Sequence, residues 1–521
     1  MNPAPGTLQR LQNQVDNEDW CSLVDECSSL LPKYPSSPVL WNIFGLGHMR
    51  MGNLAGAKMA FIEAISLKCD FSAAYLNYGN LCRSLGQFEE ALSLFLSARN
   101  YLPDNANLLN DIGNLLIEVG KIQDGVSYLK RSVELSPNKS SFKFNLANAL
   151  KTIGECTGAE FFYREAIQLD PTNVHYRNNF SIFLEDVGRF KEARLEINKA
   201  LVVAPENPRL TVNLAHLNLR DQSFATGWSQ KEAYWYSDDH EEPHIDTGKP
   251  LWRGQNVGRL FVWAEQGIGD QIMYASCLHE ISSMCRHVIV SVSQRLLPLF
   301  ERSFPSNITF CDKTLRLGDD NFDCHAPGMT ALGLLRQNLK AFANVKAPYL
   351  VADEKRTNAM REHLISIASG KPIVGVSWFT NSARNGFTRS IEIGKLVSLI
   401  PEDIFLVNLQ YGNVQHEIDK LSQHSNVEIF SFPKLDITDD LDGLASLIMA
   451  CDEIVSVDNS VVHLAGALGK RTNALLPFGS DWRWGTRKNG SNLWYQSVHL
   501  NRQPSYADWD GCVKQIKFGM S

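Results

Sequence analysis

The 34-residue spacing of prolines in the first half constrains the fold of this chain more than any other sequence feature. Cys69 stands at the one vacant point of a lattice marked by Pro35, Pro103, Pro137, Pro171 and Pro205. Chance does not place five prolines at one period, so this segment is predicted to be a repeat array. A unit of this length holds two helices, and the proline ends the second helix.

Further columns on the same lattice describe how the helices of each unit pack. Small residues recur on the first helix at Gly45, Gly79, Gly113 and Ala147, and on the second at Ala57, Ala91, Ala159 and Ala193. Bulky residues of the second helix are Phe61, Phe95, Leu129, Tyr163 and Ile197. We therefore predict helices that approach closely at the small residues, with a bulky side chain filling the gap.

The pattern resembles the tetratricopeptide repeat (TPR) over about residues 4–220, with five full units between about 38 and 207. A degenerate unit precedes them and a half unit follows. The resemblance implies a superhelix whose concave groove binds an acceptor protein or peptide. Side-chain amides can bind peptide backbone of any sequence, so we assign to the groove Asn77, Asn80, Asn110, Asn114, Asn145 and Asn148. A purely structural array with solvated asparagines is the alternative.

Composition narrows the class of protein. The 521 residues are 44% hydrophobic and 21% charged, which excludes disorder and calls for several domains. The net charge of −7 argues against a generic partner such as nucleic acid or an anionic membrane. We expect no membrane insertion and a cytoplasmic location, because neither a signal sequence nor a long apolar stretch is evident. The 11 cysteines form no zinc-type pattern and are expected to be reduced.

The second half alternates apolar runs with helical stretches. The runs are 260–264, 288–292 and 308–311, followed by 373–378, 404–409, 427–430, 453–457 and 472–476. This alternation predicts parallel sheets, and therefore two doubly wound α/β modules in tandem. The predicted domains are a TPR array at 1–240, an N-terminal Rossmann-like module at 241–352 and a C-terminal one at 353–521.

Two strand ends carry candidate ligand-binding motifs, since ligands of parallel sheets bind at the carboxyl ends of the strands. After the first run, Gly267 and Gly269 permit close approach of a ligand, and Asp270 would point into the crevice. After the run 453–457, a polar cluster opens a helix whose free amides favour phosphate, and His463 would add a donor. The alternatives are that Asp270 caps its helix and that His463 is structural.

Together with Trp378 and the string at 476–484, these motifs resemble those of bacterial lipopolysaccharide heptosyltransferases over about residues 224–515. With the array, the layout is similar to that of O-linked N-acetylglucosamine transferases. The resemblance implies a GT-B fold, with the nucleotide-sugar donor on the C-terminal module and the acceptor on the N-terminal one. By the same resemblance Asp270 is the general base, and the acceptor-side loop contains Gln266, Gly267 and Gly269.

Donor-binding residues follow from the same resemblance. The motif at the donor helix matches Asp458, Asn459, Ser460, His463 and Gly466, with His463 assigned to phosphate. In the basic loop 381–391, Arg389 lies nearest the position of the family's phosphate-binding lysine, and Arg384 is the second choice. The donor rim is expected to include Gln410, Asp481, Trp482 and Trp484.

The acidic run Asp436–Asp442 contains the Asp-x-Asp arrangement of metal-dependent transferases, but acids also cluster where a helix begins. We favour the helix start, and expect no metal and no cofactor besides the nucleotide-sugar co-substrate. The predicted function is transfer of a sugar from that donor to a protein side-chain hydroxyl. Two alternatives remain: transfer to a glycan or lipid-linked saccharide, and a non-catalytic TPR scaffold with a vestigial GT-B domain.

Overall fold

A computed structural model of the protein describes residues 2–236, 245, 247–345, 347–382, 386–424, 427–485 and 492–519. The chain divides into two compact units, Met1–Tyr176 and Arg177–Ser521. This division falls inside the repeat array, so the last repeat helices belong to the same unit as the two sheets. None of the helices in the described ranges is long and apolar enough to span a bilayer.

Within residues 2–236, the first part of the chain, all the regular secondary structure is helical. The α-helices in its described residues are α1 (Pro5–Asp16), α2 (Trp20–Leu30), α3 (Pro38–Arg50), α4 (Leu54–Leu67), α5 (Ser72–Ser84), α6 (Phe88–Arg99), α7 (Ala106–Glu118), α8 (Ile122–Leu135), α9 (Ser140–Thr152), α10 (Cys156–Leu169), α11 (Val174–Asp186), α12 (Phe190–Val203), α13 (Pro208–Arg220) and α14 (Phe224–Lys231). They form seven helical hairpins in chain order. The half unit expected after residue 207 is thus a complete hairpin with a short second helix.

The turns inside the hairpins repeat a left-handed residue at the same 34-residue period. Their residues, with φ between 56° and 79°, are Glu18, Gly52, Gly86, Gly120, Gly154, Gly188 and Gln222. Glycine adopts this conformation without strain, which explains the five central positions. The two terminal hairpins keep the turn without the glycine.

The predicted packing of the repeats is confirmed at the small residues. A Cβ atom added to Gly45 would lie 2.6 Å from the Phe61 ring, and one added to Gly79 would lie 2.3 Å from the Phe95 ring. The ring of the second helix therefore rests against the backbone of the first, and only glycine fits between them.

The second part contains two parallel sheets. Where the structure describes this half of the chain, the strands are β1 (Val257–Trp263), β2 (Cys285–Val292), β3 (Ile308–Asp312), β4 (Cys324–Pro327), β5 (Ile373–Ser377), β6 (Phe405–Asn408), β7 (Ile429–Phe430), β8 (Glu453–Val457), β9 (Thr472–Leu476) and β10 (Val498–Arg502). Their orders are β3-β2-β1-β4 and β10-β9-β8-β5-β6-β7. All pairs are parallel, as the alternation of runs and helices predicted.

Helices connect these strands. They are α15 (Ile268–Ala275), α16 (Leu278–Met284), α17 (Leu297–Ser303), α18 (Gly328–Leu335), α19 (Glu354–Ala368), α20 (Gly386–Arg389), α21 (Ile393–Val397), α22 (Gln415–His424), α23 (Leu441–Ala450), α24 (Ser460–Ala467) and α25 (Trp509–Val513). Short 3-10 helices lie at Glu232–Tyr236, Gln294–Leu296, Asp319–Asn321, Leu339–Asn344 and Trp482–Trp484. The largest apolar core runs from Leu219, Phe224 and Trp228 of the last hairpin into both sheets.

Eight of the ten strands coincide with predicted apolar runs, and β4 and β10 do not. Strand β4 has only four residues and ends in a proline, so it lacks a strand-like run. Strand β10 alternates polar and apolar residues at the edge of its sheet. Edge strands are half-solvated, which removes the continuous apolar signal of a central strand.

Candidate functional site

The strand order places two reversal points in the second part, between β1 and β4 and between β5 and β8. Crevices at such points are where parallel sheets bind ligands. The segments after β1, β5 and β8 meet at one cleft of about 440 Å³. Its lining includes Gly267, Gly269, Asp270, Arg389, Asp458, Asn459, Ser460, His463 and Asp481. The structure thus brings together nine of the predicted site residues.

Asp270 lies in the first turn of α15 and contacts Arg483 across the cleft. The Arg483 Nε donates to Asp270 Oδ1 at 3.1 Å, and Nη2 donates to the same oxygen. The remaining amine, Nη1, donates to Asp481 Oδ1 at 2.8 Å. Burial lowers the pKa of Arg483, but the charges of Asp270 and Asp481 outweigh burial and hold that pKa above its usual range. One guanidinium therefore joins two carboxylates.

Asp481 is fixed by its own turn. Its Oδ1 also accepts from the Arg483 backbone N–H at 3.0 Å, which caps the 3-10 helix Trp482–Trp484. Burial raises the pKa of this carboxyl, but Arg483 outweighs burial and holds the pKa well below its usual range. Asp481 and Arg483 therefore form one local, charged unit on the loop after β9.

His463 is buried one turn into α24. Its Nδ1 lies 2.9 Å from the Tyr495 hydroxyl, and burial lowers its pKa to about 4. The imidazole is therefore neutral at pH 7, so it can give a hydrogen bond to a phosphate but no positive charge. A Cβ added to Gly269 would lie 2.9 Å from His463 Cδ2, so the glycine lets α15 approach α24.

Arg389 reaches the cleft from the segment after β5 and pairs with Asp458. Its Nε lies 3.2 Å from Asp458 Oδ2, and Nη2 donates to the Asp458 carbonyl. The positive charge predicted for phosphate binding is thus balanced by a neighbouring carboxylate in this structure. Arg384, the second choice for that role, lies outside the described residues.

Asn459 is occupied by contacts within the protein. Its Oδ1 caps α24 by accepting from the Val461 N–H at 3.0 Å, while Nδ2 donates to Ser377 Oγ at 2.8 Å and to the Phe379 carbonyl at 3.0 Å. These bonds tie the loop after β8 to the loop after β5. Asn459 therefore shapes the cleft wall, and Ser460 begins α24 and also lines the cleft.

Five of the predicted cleft residues that the structure describes are not among those that line the cleft. The Gln410 Oε1 accepts from Ser377 Oγ and from the Trp378 and Phe379 N–H groups, at 2.8–2.9 Å. Gly466 packs against the Tyr495 ring. Trp482 packs its ring against Trp228 and His216, and Gln266 is a left-handed residue before α15. Trp484 is buried, with its ring centroid 5.2 Å from that of His463.

The acidic run Asp436–Asp442 lies at the start of α23, which is where the sequence analysis predicted a helix to begin. Asp440 caps the helix by accepting from the Gly443 N–H at 2.7 Å and pairs with Arg356 at 2.6 Å. Asp442 pairs with Arg302. Across the described residues, no three His, Cys, Asp or Glu side chains are grouped so that they could hold a metal ion.

The asparagines of the array pair across neighbouring units. Asn77 Nδ2 donates to Asn42 Oδ1 at 3.0 Å, and Asn145 Nδ2 donates to Asn110 Oδ1 at 2.9 Å. Asn148 accepts from the Tyr163 hydroxyl at 2.6 Å, and Asn80 accepts from Arg83 at 3.0 Å. Part of their hydrogen-bonding capacity is therefore used to link helices, and Asn114 is half-buried beside them.

Sequence reasoning missed several residues of the cleft lining, namely Arg295, Thr380, Tyr411, Thr438 and Arg483. Arg483 was the one with a usable signal, because it stands between Trp482 and Trp484 directly after the predicted Asp481. Its partner Asp270 is 213 residues away, so nothing local in the sequence indicated the ion pair.

Comparison with known proteins bears on the array most directly. A tetratricopeptide-repeat model matches residues 44–105, and another matches residues 140–173. The chain is 29% identical to protein FlbA of Caulobacter vibrioides over 310 residues, which are 56% of this chain and 51% of FlbA. It is 32% identical over 81 residues to protein O-mannosyl-transferase TMTC2 of Homo sapiens, covering 16% of this chain and 10% of that protein. The chain thus spans about half of one relative and a tenth of the other.

Solved structures that resemble the chain include repeat proteins. A tetratricopeptide repeat protein from Parabacteroides merdae gives a TM-score of 0.39 at 18% identity, covering 45% of this chain and 93% of that one. YrrB, described as a TPR protein with an unusual peptide-binding site, gives 0.32 at 19%, covering 35% and 95%. The two repeat matches and the observed parallel sheets together show an N-terminal all-α tetratricopeptide-repeat array followed by a C-terminal domain of parallel α/β sheets.

Proposed function

We propose that this chain is a GT-B glycosyltransferase that moves a sugar from a nucleotide-sugar donor to a protein side-chain hydroxyl. The observation that supports the proposal is the cleft itself, where an acid on α15 faces a neutral histidine and two arginines around the start of α24. Similarity to a protein O-mannosyl-transferase over 81 residues agrees with a transferase. O-mannosyl transfer is the activity of that protein, and sugar transfer by this chain is part of the proposal.

In this mechanism the donor diphosphate binds at the N-terminus of α24, where backbone amides and the helix dipole favour negative charge. The acceptor hydroxyl lies beside Asp270, whose carboxylate takes its proton. The hydroxyl oxygen forms a bond to the anomeric carbon, and the bond from that carbon to the diphosphate breaks. The electron pair leaves with the nucleoside diphosphate.

The charge that develops on the leaving group is stabilised by fixed groups of the protein. Arg389 and Arg483 supply positive charge, and neutral His463 supplies a hydrogen bond. An arginine fork bonds two phosphate oxygens at once, whereas a lysine offers a point charge. We therefore propose that transfer requires no metal ion.

The repeat array would hold the acceptor polypeptide. Tetratricopeptide repeats commonly bind peptides or proteins, and two segments of this chain match that repeat. The asparagine pairs give a row of amides at regular spacing along the array. Each pair retains amide hydrogens and lone pairs beyond the one bond between its members, so it can also bind peptide backbone.

Nucleotide binding tests the donor site. Each of ADP, UDP, GDP and CMP is titrated into the wild-type chain, His463→Gln and His48→Ala, and the melting of the unit Arg177–Ser521 is followed. At about 100 times its dissociation constant a ligand adds roughly 2.7 kcal/mol of stability. One nucleotide should raise the melting temperature of the wild type and of His48→Ala, a repeat residue, and raise that of His463→Gln less. If no nucleotide stabilises the wild type, the proposal fails.

The class of acceptor can be tested with a truncated chain whose new end lies close to the boundary between the two compact units. Residues 177–220 belong to the unit that contains the cleft, so deleting residues 1–173 removes most of the array and leaves α11 whole. The shortened chain should bind nucleotide but transfer sugar poorly to protein acceptors. Full transfer to a saccharide acceptor alone, by both chains, would favour glycan or lipid-linked sugar extension instead. The melting curve of the shortened chain controls for loss of fold.

A further inference from the structure

Charge balance in the cleft raises a question about how a diphosphate binds. Three carboxylates and three guanidinium groups belong to the described part of the lining: Asp270, Asp458, Asp481, Arg295, Arg389 and Arg483. His463 is neutral at pH 7 because its pKa is about 4. Within the described lining, the charges of Arg389 and Arg483 are therefore balanced by carboxylates, and either arginine becomes available to a diphosphate when it changes its partner.

The ion pair of Arg389 and Asp458 is the harder one to break. The Asp458 side chain is 3% exposed, so losing Arg389 would remove the cation that is paired with a buried carboxylate. Breaking a buried ion pair by removing one partner is strongly destabilising. The Asp270 side chain is 18% exposed and lies in the first turn of α15, where the helix dipole stabilises a carboxylate. Asp270 can therefore lose its arginine at lower cost.

Arg483 has one fixed partner and one exchangeable partner. Asp481 lies two residues away on the same turn and bonds both the backbone and the side chain of Arg483. That turn is anchored at Ser480, whose carbonyl accepts from Arg220 and whose hydroxyl accepts from Arg502. Asp270 belongs to the other sheet's module and contacts Arg483 only through the guanidinium. A small rotation of the side chain would release Asp270 while Asp481 keeps its bonds.

On the basis of the proposed function, we propose that Arg483 gives up its bonds to Asp270 and binds the donor diphosphate instead. Donor binding then frees Asp270 to act as the base. Before the donor binds, both bonds from Arg483 hold Asp270 Oδ1, so that oxygen is not open to an acceptor hydroxyl. When the diphosphate draws Arg483 away, Asp270 becomes free beside the acceptor. The site then has an order in which the donor binds before the acceptor can react.

The exchange predicts a competition that binding alone can measure. Asp270 and the diphosphate compete for one guanidinium, so Asp270→Asn should tighten nucleoside diphosphate binding by roughly tenfold. Arg483→Gln should weaken binding by roughly tenfold or more. In the double variant, Asp270→Asn should have no further effect, because Asp270 acts through Arg483.

The test is a double-mutant cycle on the full chain, with UDP, ADP and GDP each titrated by calorimetry. Asp436→Asn is the matched control, because it removes one exposed carboxylate close to the cleft residue Thr438 and keeps the side-chain oxygen that accepts from the Thr438 N–H. Asp270→Ala is the second variant, and melting curves show that each protein is folded. Equal tightening in Asp436→Asn would assign the effect to long-range charge and overturn the exchange.

The remaining outcomes separate this inference from the function on which it rests. If none of the three nucleotides binds the wild type, the proposed donor site fails and the exchange fails with it. If one binds, but Asp270→Asn and Asp270→Ala leave its affinity unchanged or weaker, only the exchange is wrong. Tightening that persists in the Arg483→Gln background has the same meaning, because it shows that Asp270 does not act through Arg483.

Discussion

The contacts of the repeat array join residues that are near each other in sequence, whereas those of the cleft join residues that are far apart in sequence. In the array, Asn77 bonds Asn42 from the neighbouring unit, 35 residues away, and the same contact returns between Asn145 and Asn110. In the cleft, Asp270 bonds Arg483 at a separation of 213 residues. A repeat therefore depends on its neighbours only, whereas the cleft depends on both sheets and the last hairpin. A substitution should stay local in the first case and propagate in the second.

The largest effect we expect is a pH dependence confined to the cleft. Burial lowers the pKa of His463 from its ordinary value of 6.5 to about 4, so the unfolded state binds a proton more readily than the folded state. The stabilising contribution is complete above pH 6.5 and is lost as the pH falls towards 4. The shift corresponds to about 3 kcal/mol. Denaturant unfolding of wild type and His463→Gln at pH 7 and pH 4.5 measures it.

In that experiment the variant should lose less stability than the wild type between the two pH values. His48→Gln in the array is the control, since burial lowers the pKa of that histidine as well, but at a site with local contacts only. Equal pH dependence of wild type and His463→Gln would show that His463 is not buried as a neutral group.

Two glycine substitutions compare the regions directly. An added Cβ would lie 2.3 Å from the Phe95 ring at Gly79, and 2.4 Å from Tyr495 Cγ at Gly466. Gly79→Ala and Gly466→Ala should each destabilise their surroundings by about 1–3 kcal/mol through overpacking. Only Gly466→Ala should also weaken nucleotide binding, because Tyr495 positions His463. Hydrogen exchange locates the destabilised helices, and calorimetry gives the affinity.

The matched result would be contradicted if Gly79→Ala weakened nucleotide binding as much as Gly466→Ala did. The contacts of the array would then not be local, and the contrast between the two regions would be lost. A Phe95→Leu change added to Gly79→Ala should restore part of the stability by making room for the new methyl group.

These two glycines also show what the sequence predicts well. Gly79 was identified from its column, because the same kind of contact recurs at Gly45 and Gly113, and repetition makes a packing contact visible in the sequence. For the cleft, the glycines and Asp270 after β1 and the motif at His463 were found, since strand ends of parallel sheets can be placed from apolar runs. The segments after β1 and β8 lie close together in the structure because of the strand order, in line with the rule that parallel sheets bind ligands where that order reverses.

What the sequence did not predict depends on tertiary partners. Gln410 and Asn459 were assigned to the donor, but their amides bond loop backbone around Ser377 to Phe379. Trp482 was assigned to the donor rim and packs against the last hairpin. Arg483 was passed over. In each case the deciding partner lies more than 30 residues away, and no periodicity marks it.

A substitution of Arg220, which lies in the last repeat hairpin, should affect the cleft although most substitutions in the array should not. This arginine lies at the end of α13, is buried over the Phe190 ring at 3.5 Å, and donates to the Ser480 carbonyl beside Asp481. Arg220→Met removes that bond and frees the turn that holds Arg483. Nucleotide affinity should fall about five- to tenfold, which is roughly 1 kcal/mol.

The control for Arg220 is Arg194→Met. Arg194 pairs with Asp221 at 2.7 Å in the same hairpin region and has no bond to the turn after β9. It should leave nucleotide affinity unchanged within twofold. If Arg220→Met behaves like Arg194→Met, the last hairpin does not position the cleft, and it can be treated as an ordinary repeat.

The smallest effect sharpens the description of the array. Glu18 occupies the left-handed turn position of the first hairpin, with φ of 56°, where five later hairpins have glycine. Its side chain is exposed, so Glu18→Gly should act through the backbone alone and stabilise the first hairpin by about 0.5–1 kcal/mol.

Gly86→Ala is the reverse test at φ of 72°, because an added Cβ meets no atom within 4 Å there. It should destabilise by a similar amount. Since a repeat depends only on its neighbours, hydrogen exchange should place both changes within one unit of the substituted turn. Spread of either effect to the whole array would mean that the repeats unfold as one body.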